Sequence, residues 1–290
     1  MSDEGVQLVR EGREFDSSET NEADNKNHGV YFVPGLHRGL LVLEALAEAQ
    51  KPMSISDIAR ALGITRSAAF RLVYTLRYTG FVESEPDSKK VRLGGRVLSL
   101  GFSYLAGMSI IEAAQPDLDL LRDATGITSH IGIRDGRDLL YLACAHSRSG
   151  FVSTINVGSR FPVHLTPMGW LLLSDLAPRK IGELFPDQQP YKALTEYSPT
   201  TLEALLDRVM RAGAQGYIIS RGILEPGGSS ICAPVLNAQN KVVAAIDISG
   251  PDIGFDEARM DQYLSEVRAA AQRISIRLGY TPARRSDDLG

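Results

Sequence analysis

The sequence predicts an α+β protein with two folded parts, and three observations support this prediction. The chain has 290 residues, 43% of them hydrophobic, and this length is more than one domain usually needs. Three helical patterns and two short strand patterns fill residues 30–96. Beyond residue 126, strand patterns are interrupted by scattered helical ones, which indicates an α+β domain. We expect a disordered acidic tail at 1–29, folded domains at 30–96 and 126–280, linker helices at 97–125 and a tail at 281–290.

The first two helices of the N-terminal part have clear boundaries in the sequence. Apolar residues at helical spacing cover residues 35–49, and the stripe consists of Leu36, Leu40, Val42, Leu43 and Leu46. A second helix begins at Ser54, because Ser54 and Asp57 have the spacing of a capping box. Gly63 marks its end, since glycine readily adopts the left-handed conformation that stops a helix.

The third helix follows the second almost at once. Thr65 is a suitable N-cap, and Gly80 ends the helix. We assign its inward face to Phe70, Leu72, Val73 and Leu76. Two partly alternating strands, at 81–84 and 91–93, flank a turn that contains proline and aspartate. Two helices joined by a tight turn and followed by a hairpin predict a winged helix-turn-helix.

A winged helix-turn-helix places its second helix in the major groove of DNA, so the exposed side chains of that helix are candidate contacts. Its first turn offers hydroxyl groups, a guanidinium and small side chains to base edges, from Thr65, Arg66, Ser67 and Ala68. Candidates for phosphate contacts lie further along the helix, and they are Arg71, Tyr74 and Arg77. Lys89 and Lys90 at the tip of the wing are candidates for contact with the DNA backbone or with a minor groove. We therefore predict double-stranded DNA as a partner. The alternative is a helical hairpin with surface arginines.

The distribution of charge agrees with a DNA partner. The whole chain has a net charge of −4, but residues 30–100 carry ten basic and six acidic residues, net +4. The acidic excess lies in residues 1–29, net −5, and in residues 101–290, net −3. The positive segment thus coincides with the predicted DNA-binding part, as phosphate neutralisation requires, although ordinary surface variation is an alternative. A net acidic chain argues against a non-specific architectural DNA-binding protein.

Few other signatures of chemistry appear in the sequence. Cys144 and Cys232 lie in apolar strand-like runs, which indicates buried thiols and a reducing compartment, with a disulfide between them as the alternative. There is no zinc-ligand spacing, no Walker sequence and no Gly-x-Ser-x-Gly, so we predict no metal, no cofactor and no catalytic residue. No run of 18 apolar residues occurs and the N-terminus lacks an apolar signal core. We therefore expect a cytoplasmic protein with no membrane partner.

The linker and C-terminal patterns are predicted as follows. Residues 96–125 are helical with a break at Gly107, and Pro116 lies just inside the start of the second piece. The apolar positions of this linker indicate that it packs against something, a second subunit being one candidate. Strands are predicted at 129–133, 139–144, 151–157, 217–220, 230–235 and 242–248. Helices are predicted at 168–176, 179–184, 201–212 and 256–278.

Several segments of the chain resemble the IclR family of bacterial transcriptional regulators. In the N-terminal part these are residues 33–40 (VPGLHRGL), 56–63 (SDIARALG) and 71–76 (RLVYTL). Residues 158–169 (GSRFPVHLTPMG) are similar to the family's Gly-x-x-x-Pro-x-His-x-Ser/Thr-x-x-Gly segment. Residues 233–235 (APV) and 248–251 (ISGP) match two later signatures. The resemblance covers residues 33–280 in order.

The resemblance implies a GAF-like C-terminal domain with a small-molecule pocket, and a homodimer or tetramer that binds a pseudo-palindromic operator. It also implies that a carboxylate effector lies at the start of the helix after His-x-Thr, where free N–H groups favour an anion. Here the implied effector positions and their neighbours are His130, Phe151, Ser153, Thr166, Met168, Gly169, Ser220, Arg221 and Ser230. Pro167, at the same helix start, has no N–H to donate.

Two of these positions differ from the family pattern. Ser220 and Ser230 stand where relatives often have Asp and Cys, and Arg221 is adjacent in the sequence. The loss of an acid beside an arginine favours an anionic ligand, so we hypothesise an aromatic or other organic carboxylate of a catabolic pathway. The alternatives are that both serines are ordinary strand residues and that His130 is a core histidine. A competing function is an enzyme with a ligand-processing C-terminal domain and an accessory winged helix.

Overall fold

The structure is a computed structural model that describes residues 31–106, 109–148, 155–185, 191 and 193–281. Contacts within the chain divide it into two units, residues 1–107 and 108–290. This division falls inside the predicted linker at 97–125. The predicted disordered tail at 1–29 and nearly all of the tail at 281–290 lie outside the described residues. No helix in the described part of the chain is long and apolar enough to cross a bilayer.

The first unit consists of short helices and a small antiparallel sheet. Its elements are α1 (Pro34–Ala49), β1 (Met53–Ser54), α2 (Ile55–Leu62), α3 (Arg66–Tyr78), β2 (Val82–Ser84), β3 (Lys90–Leu93) and α4 (Arg96–Ala106). The strand order is β1-β3-β2, so the predicted hairpin gains a third strand. Two residues are too few to show an alternating pattern, which is why β1 escapes prediction. The arrangement is the predicted winged helix-turn-helix.

Side-chain caps fix the ends of α2 and α3. The Ser54 hydroxyl accepts from the Asp57 N–H, and the Asp57 carboxylate accepts from the Ser54 N–H, each at 3.2 Å. The Thr65 hydroxyl accepts from the Ala68 N–H at 3.2 Å. Gly63 has φ of +64°, the left-handed conformation predicted for the end of α2. The predicted capping box, glycine stop and N-cap are therefore confirmed.

The core of the first unit lies between the three helices and the sheet. It consists of Val42, Leu46, Ile58, Ala59, Ala69, Val73, Val82 and Val91. The assignment of Phe70 to the inward face of α3 is wrong, because its side chain is 58% exposed. One residue turns a helix by about 100°, so Ala69 and Val73 occupy the buried stripe and Phe70 turns outward. Leu36 and Leu40 on α1 are also exposed rather than buried.

The second unit surrounds a six-stranded antiparallel sheet. Its elements are α5 (Ser109–Thr125), β4 (Ser129–Asp135), β5 (Asp138–Ala145), β6 (Arg160–Pro162), α6 (Pro167–Leu173), α7 (Pro178–Leu184), α8 (Leu202–Gln215), β7 (Ile218–Arg221), β8 (Gly228–Leu236), β9 (Val242–Pro251) and α9 (Met260–Arg277). The strand order is β6-β5-β4-β9-β8-β7. Helices and antiparallel strands in one unit confirm the predicted α+β class.

Both faces of this sheet are covered. Cys232 of β8 and Ala245 of β9 belong to a core shared with α6, α7 and α8. Their chain neighbours point to the opposite face of the sheet, and Ile231, Ala244 and Ile246 are equally buried there. Helix α9 contacts β8 and also packs along α5. The sheet is therefore enclosed between two layers of helix.

Two predictions for this unit need correction. Of the predicted strand at 151–157, residues 151–154 lie outside the described residues and 155–157 are not a strand. The third strand on that side is β6 instead, which pairs with β5. Pro116 is not in the first turn of a helix, because α5 begins seven residues earlier at Ser109 and carries the proline in its interior.

Pro116 is followed directly by Asp117, the residue whose ion pairs join α5 to α9. Asp117 is fully buried, and its carboxylate pairs with both Arg273 and Arg277 of α9. Arg277 also donates to the Ala113 carbonyl at 2.8 Å. Proline lacks an N–H and so interrupts the regular hydrogen bonding of α5, and the two arginines of α9 bond this helix at Ala113 and Asp117, on either side of Pro116.

The start of α6 is tightly packed. Pro167 occupies the first turn, and the Thr166 hydroxyl accepts from the Gly169 N–H at 3.0 Å. A Cβ atom added to Gly169 would lie 1.8 Å from the Val163 carbonyl oxygen. Real Cβ atoms do not approach oxygen that closely, so only glycine fits here without a shift of the backbone.

Gly169→Ala is expected to destabilise the second unit by roughly 1–3 kcal/mol, because the added methyl group overpacks the turn before α6. Urea denaturation followed by fluorescence of Trp170, the single tryptophan, measures this change. Gly182→Ala is the matched control, since its Cβ would meet Leu202 at an ordinary 3.5 Å within helix α7. Equal midpoints for the two variants would contradict the prediction.

Candidate nucleic-acid interface and ligand cavity

The exposed face of α3 carries most of the predicted DNA contacts. Thr65, Arg66, Ser67, Arg71 and Tyr74 are exposed, whereas Ala68 is half-buried. The hydroxyl of Thr65 is occupied as an acceptor in the N-cap, and its proton remains available to a partner. The structure therefore brings these predicted residues together on one surface of the first unit.

The wing supplies further positive charge. Lys89 and Lys90 are exposed at the β2–β3 turn, where the Ser88 hydroxyl accepts from the Lys90 N–H at 3.0 Å. The neighbouring Arg92 is neutralised by Glu83, at 2.9 Å, and by Glu85.

The cationic groups predicted to contact phosphate form no ion pair with another residue that the structure describes. Among the residues that the structure describes, the ion pairs of the first unit join Arg60 to Asp57 and Arg92 to Glu83 and Glu85. The arginines of α3 and the two wing lysines take part in none of them. Their charge is therefore available to an anionic partner.

The second unit contains a cavity of about 340 Å³ beside the sheet. The residues after α5, the β7–β8 connection and the end of β9 form its wall. The apolar part of the wall comprises Ile127, Ile155, Phe161, Pro167, Ile223 and Leu224, and the polar part Thr128, Ser147, Ser220, Glu225, Ser229, Ser230 and Ser249. Glycines at 126, 228, 250 and 254 and Pro251 complete the described lining. A mainly apolar cavity with a few polar groups is typical of a small-molecule site.

Ser220 and Ser230 face each other across the β7–β8 pair and line the cavity together. Their hydroxyl oxygens are 2.8 Å apart, and the Ser230 hydroxyl also lies 3.6 Å from the Cys232 sulfur. One hydroxyl proton bridges the two oxygens. When Ser230 donates to Ser220, the Ser220 proton remains for another acceptor, so the pair can donate one hydrogen bond to a ligand.

Arg221 does not line the cavity. Adjacent residues of a strand point to opposite sides, and Arg221 is exposed and paired with Glu257. The expectation that it adds positive charge to the pocket therefore needs correction. Within the described lining, Glu225 is the charged residue, so a bound anion meets hydroxyl groups rather than a cation. The Ser147 and Ser229 hydroxyls already donate to the Gly126 carbonyl and the Asp252 carboxylate.

The start of α6 contributes less than predicted. Thr166, Met168 and Gly169 are buried and are absent from the described lining, where only the adjacent Pro167 appears. The Gly169 N–H is already bonded to Thr166, so it has no free donor for a ligand. Phe151 and Ser153, also predicted for this site, lie outside the described residues.

Neither histidine near the site belongs to the described lining of the cavity. Burial, with a smaller effect from Arg137, lowers the pKa of His164 to about 4, so this imidazole is neutral at pH 7. His130 is fully buried, is not part of the described lining, and pairs through Nδ1 with Asp247 at 2.9 Å. The Ser249 hydroxyl approaches the same Nδ1 atom at 3.3 Å. A serine–histidine–carboxylate relay needs the two ring nitrogens to serve different partners, so this group is a core bond and not a relay.

Sequence reasoning missed several polar lining residues. Thr128, Ser147, Ser249 and Glu225 line the cavity from elements that are far apart in the chain. Ser249 lies within the ISGP segment at 248–251, and that segment was the available signal. The others carry no local pattern, because only the fold brings them together.

Burial controls the chemistry of the two thiols. Burial, together with the nearby Asp247 carboxylate, raises the pKa of Cys232 well above its ordinary value. Cys144 is half-buried, its pKa is also raised by burial, and its sulfur lies 3.3 Å from His146 Nε2. Both cysteines are free, as predicted, although Cys144 is only partly buried.

Comparison with known proteins matches both units to domains of one protein family. Residues 102–276 match the domain described as bacterial transcriptional regulator IclR C-terminal, and residues 35–86 match the IclR helix-turn-helix domain. The Escherichia coli (strain K12) regulator XynR is 28% identical over 251 residues, which cover 86% of this chain and 98% of XynR.

Solved structures have the same architecture. A Rhodococcus sp. RHA1 protein described as a transcriptional regulator is 32% identical with a TM-score of 0.72, covering 85% of this chain and 98% of its own. An IclR homologue from Microbacterium hydrocarbonoxydans, solved with 4-hydroxybenzoate, is 24% identical with a TM-score of 0.72, covering 84% of this chain and 98% of its own. The predicted winged helix-turn-helix followed by a GAF-like domain is thus the fold of this chain.

We expect a disulfide reagent at pH 8 to modify Cys144 in the native protein but to reach Cys232 only after unfolding. The raised pKa reduces the thiolate fraction of both cysteines, but only Cys232 is fully buried, so access to the sulfur separates the two. Cys144→Ser should therefore abolish the native signal, whereas Cys232→Ser should leave it unchanged. Rapid native modification of the Cys144→Ser variant would overturn the assignment.

Proposed function

This chain belongs to the IclR family of bacterial transcriptional regulators, and we propose that α3 and the wing bind an operator while a small organic acid in the cavity controls that binding. The observation that carries the DNA part is the set of exposed cations on α3 and at the wing tip, which form no ion pair with other described residues. We propose domain boundaries at 30–96 and 126–280, with the helices at 97–125 as linker.

The proposed DNA contacts fall into two groups. Thr65, Arg66, Ser67 and Ala68 stand at the start of α3, where a recognition helix contacts base edges. Arg71, Tyr74, Lys89 and Lys90 lie further along α3 and on the wing, and we assign them to the sugar–phosphate backbone. A single module of this size gives limited specificity, so we propose a homodimer or tetramer on a pseudo-palindromic operator.

The proposed effector is an aromatic or other organic carboxylate from a catabolic pathway. The cavity combines an apolar wall, which suits a ring, with the Ser220–Ser230 hydroxyl pair. The Microbacterium protein of the same fold is complexed with 4-hydroxybenzoate, which is an aromatic carboxylate.

The free proton of the Ser220–Ser230 pair sets the orientation that we propose for this ligand. A hydrogen bond from a hydroxyl to an ionised carboxylate is stronger than one between neutral groups. We therefore place the ligand carboxylate at the two serines and its apolar body against Phe161 and Ile223.

Arg66→Ala is expected to weaken operator binding by about 1–3 kcal/mol and to relax specificity at one or two base pairs, if the guanidinium bonds a base edge. A gel-shift series across operator variants measures both effects. Unchanged affinity on every variant would count against Arg66 as a base contact.

Lys89→Ala should instead weaken binding evenly across sequences and reduce the slope of log affinity against log salt by about one, since one phosphate contact is lost. Titrations at several salt concentrations measure the slope. Arg92→Ala is the matched control, because Arg92 is already paired with Glu83 and Glu85. An equal loss of slope in both variants would contradict the assignment of Lys89.

Calorimetric titration with 4-hydroxybenzoate and a panel of aromatic acids should detect binding to the native chain. Ile223→Trp should abolish this binding by filling the cavity, whereas Arg221→Ala should retain it, because Arg221 pairs with Glu257 outside the lining. Absence of binding by every acid in the panel would reject the proposed effector class, and loss of binding in Arg221→Ala would reject the proposed orientation.

A further inference from the structure

A row of aromatic side chains runs along the exposed face of α3. Phe70, Tyr74 and Tyr78 are spaced four residues apart and are 58%, 63% and 86% exposed. The rings of Phe70 and Tyr74 are 6.5 Å apart. Residues four apart lie on the same side of a helix, so the three rings form one continuous strip.

The fold itself does not need this strip. The buried side of α3 is supplied by Ala69 and Val73, with Leu72 and Leu76 packed against the same core. Contiguous exposed apolar surface on a folded domain commonly marks a binding site. The strip is therefore available for an interaction with a partner.

The surrounding charge identifies the kind of partner. Arg66, Arg71 and Arg77 are exposed on the same helix, and none of them forms an ion pair among the residues that the structure describes. The two wing lysines of the same unit are also exposed and form no ion pair among the described residues. The cationic groups fit a partner with a phosphate backbone. The apolar strip between them fits apolar groups that lie between two such backbones, and the major groove of DNA offers both.

One apolar group in the major groove distinguishes the bases. The C5 methyl group of thymine projects into the groove, and aromatic or small apolar side chains contact it. Phe70 lies about 6 Å along the helix axis from Arg66, within the part of α3 that a recognition helix inserts. The small side chains of Ser67 and Ala68 on the preceding turn allow α3 to approach the bases closely enough for the ring to reach them.

We propose that Phe70 reads thymine through its C5 methyl group and that Tyr74 packs beside the Phe70 ring to hold it in place. This inference rests on the proposed operator binding and adds a specificity-determining residue to it. It also changes the proposed role of Tyr74 from a contact with the DNA backbone to a support for the Phe70 ring. Tyr78, about 12 Å from Phe70 along the axis, lies too far from the inserted turn to take part.

The test begins with selection of a binding site by the full-length chain from a random double-stranded DNA library. Each thymine of the selected duplex is then replaced singly by deoxyuridine, which removes the methyl group and preserves base pairing. We expect an affinity loss of about four-fold, equivalent to about 0.8 kcal/mol, at one or two positions in each half-site. Gel shift or fluorescence anisotropy at fixed salt measures the loss.

Two variants of the same strip assign the methyl contact to one residue. In Phe70→Ala, deoxyuridine at the sensitive positions should cause no further loss, because the ring that contacts the methyl group is gone. In Tyr78→Ala the four-fold dependence should remain. Both side chains are exposed, so unchanged thermal unfolding of the two variants is expected and checks that the fold is intact.

Three results would overturn the inference. The first is full affinity for every deoxyuridine duplex, and the second is an undiminished methyl dependence in Phe70→Ala. The third is a changed oligomeric state of Phe70→Ala with unaltered sequence preference, which would make the strip a contact between chains. Selection that enriches no sequence would instead reject the proposed operator binding, and this inference with it. Enrichment without methyl dependence leaves the proposed function intact and rejects only the role of Phe70.

Discussion

The tight turn between α2 and α3 determines which face of α3 meets the solvent. Gly63 adopts a left-handed conformation, the Ile64 N–H bonds the Ala59 carbonyl at 3.0 Å, and Thr65 caps the next helix immediately. With both helix ends fixed this closely, α3 has little freedom to rotate about its axis. Ala69 and Val73 therefore stay in the core, and every side chain on the opposite face is committed to the surface.

Much of the first unit could be predicted because its signals are local. A cap, a glycine stop and a hairpin turn each act over three or four residues, so they can be read directly from the chain. The position of Phe70 could not be read in this way. Its hydrophobicity favours the core, but the helix register decides the outcome, and one residue of error turns a side chain by about 100°.

The cavity was harder to predict, for a different physical reason. Ser220 and Ser230 are brought to its wall by a strand pair, whereas Arg221 next to Ser220 is turned away by the alternation of the strand. Adjacency in sequence is therefore a poor guide to electrostatics in a sheet. At the start of α6 the Gly169 N–H already donates to the hydroxyl of Thr166, the N-cap of the same helix. Whether this bond forms depends on the geometry of the threonine side chain.

The buried Asp117 has a consequence for how the second unit is delimited. Helix α5 is the first element of that unit and α9 the last, and the two lie side by side with one carboxylate bonding both arginines of α9. The first and the last helix of the unit are thus held against each other. Such a unit is suited to exist as an independent module that can be fused to different partners, or permuted by joining its old ends, without opening its sheet.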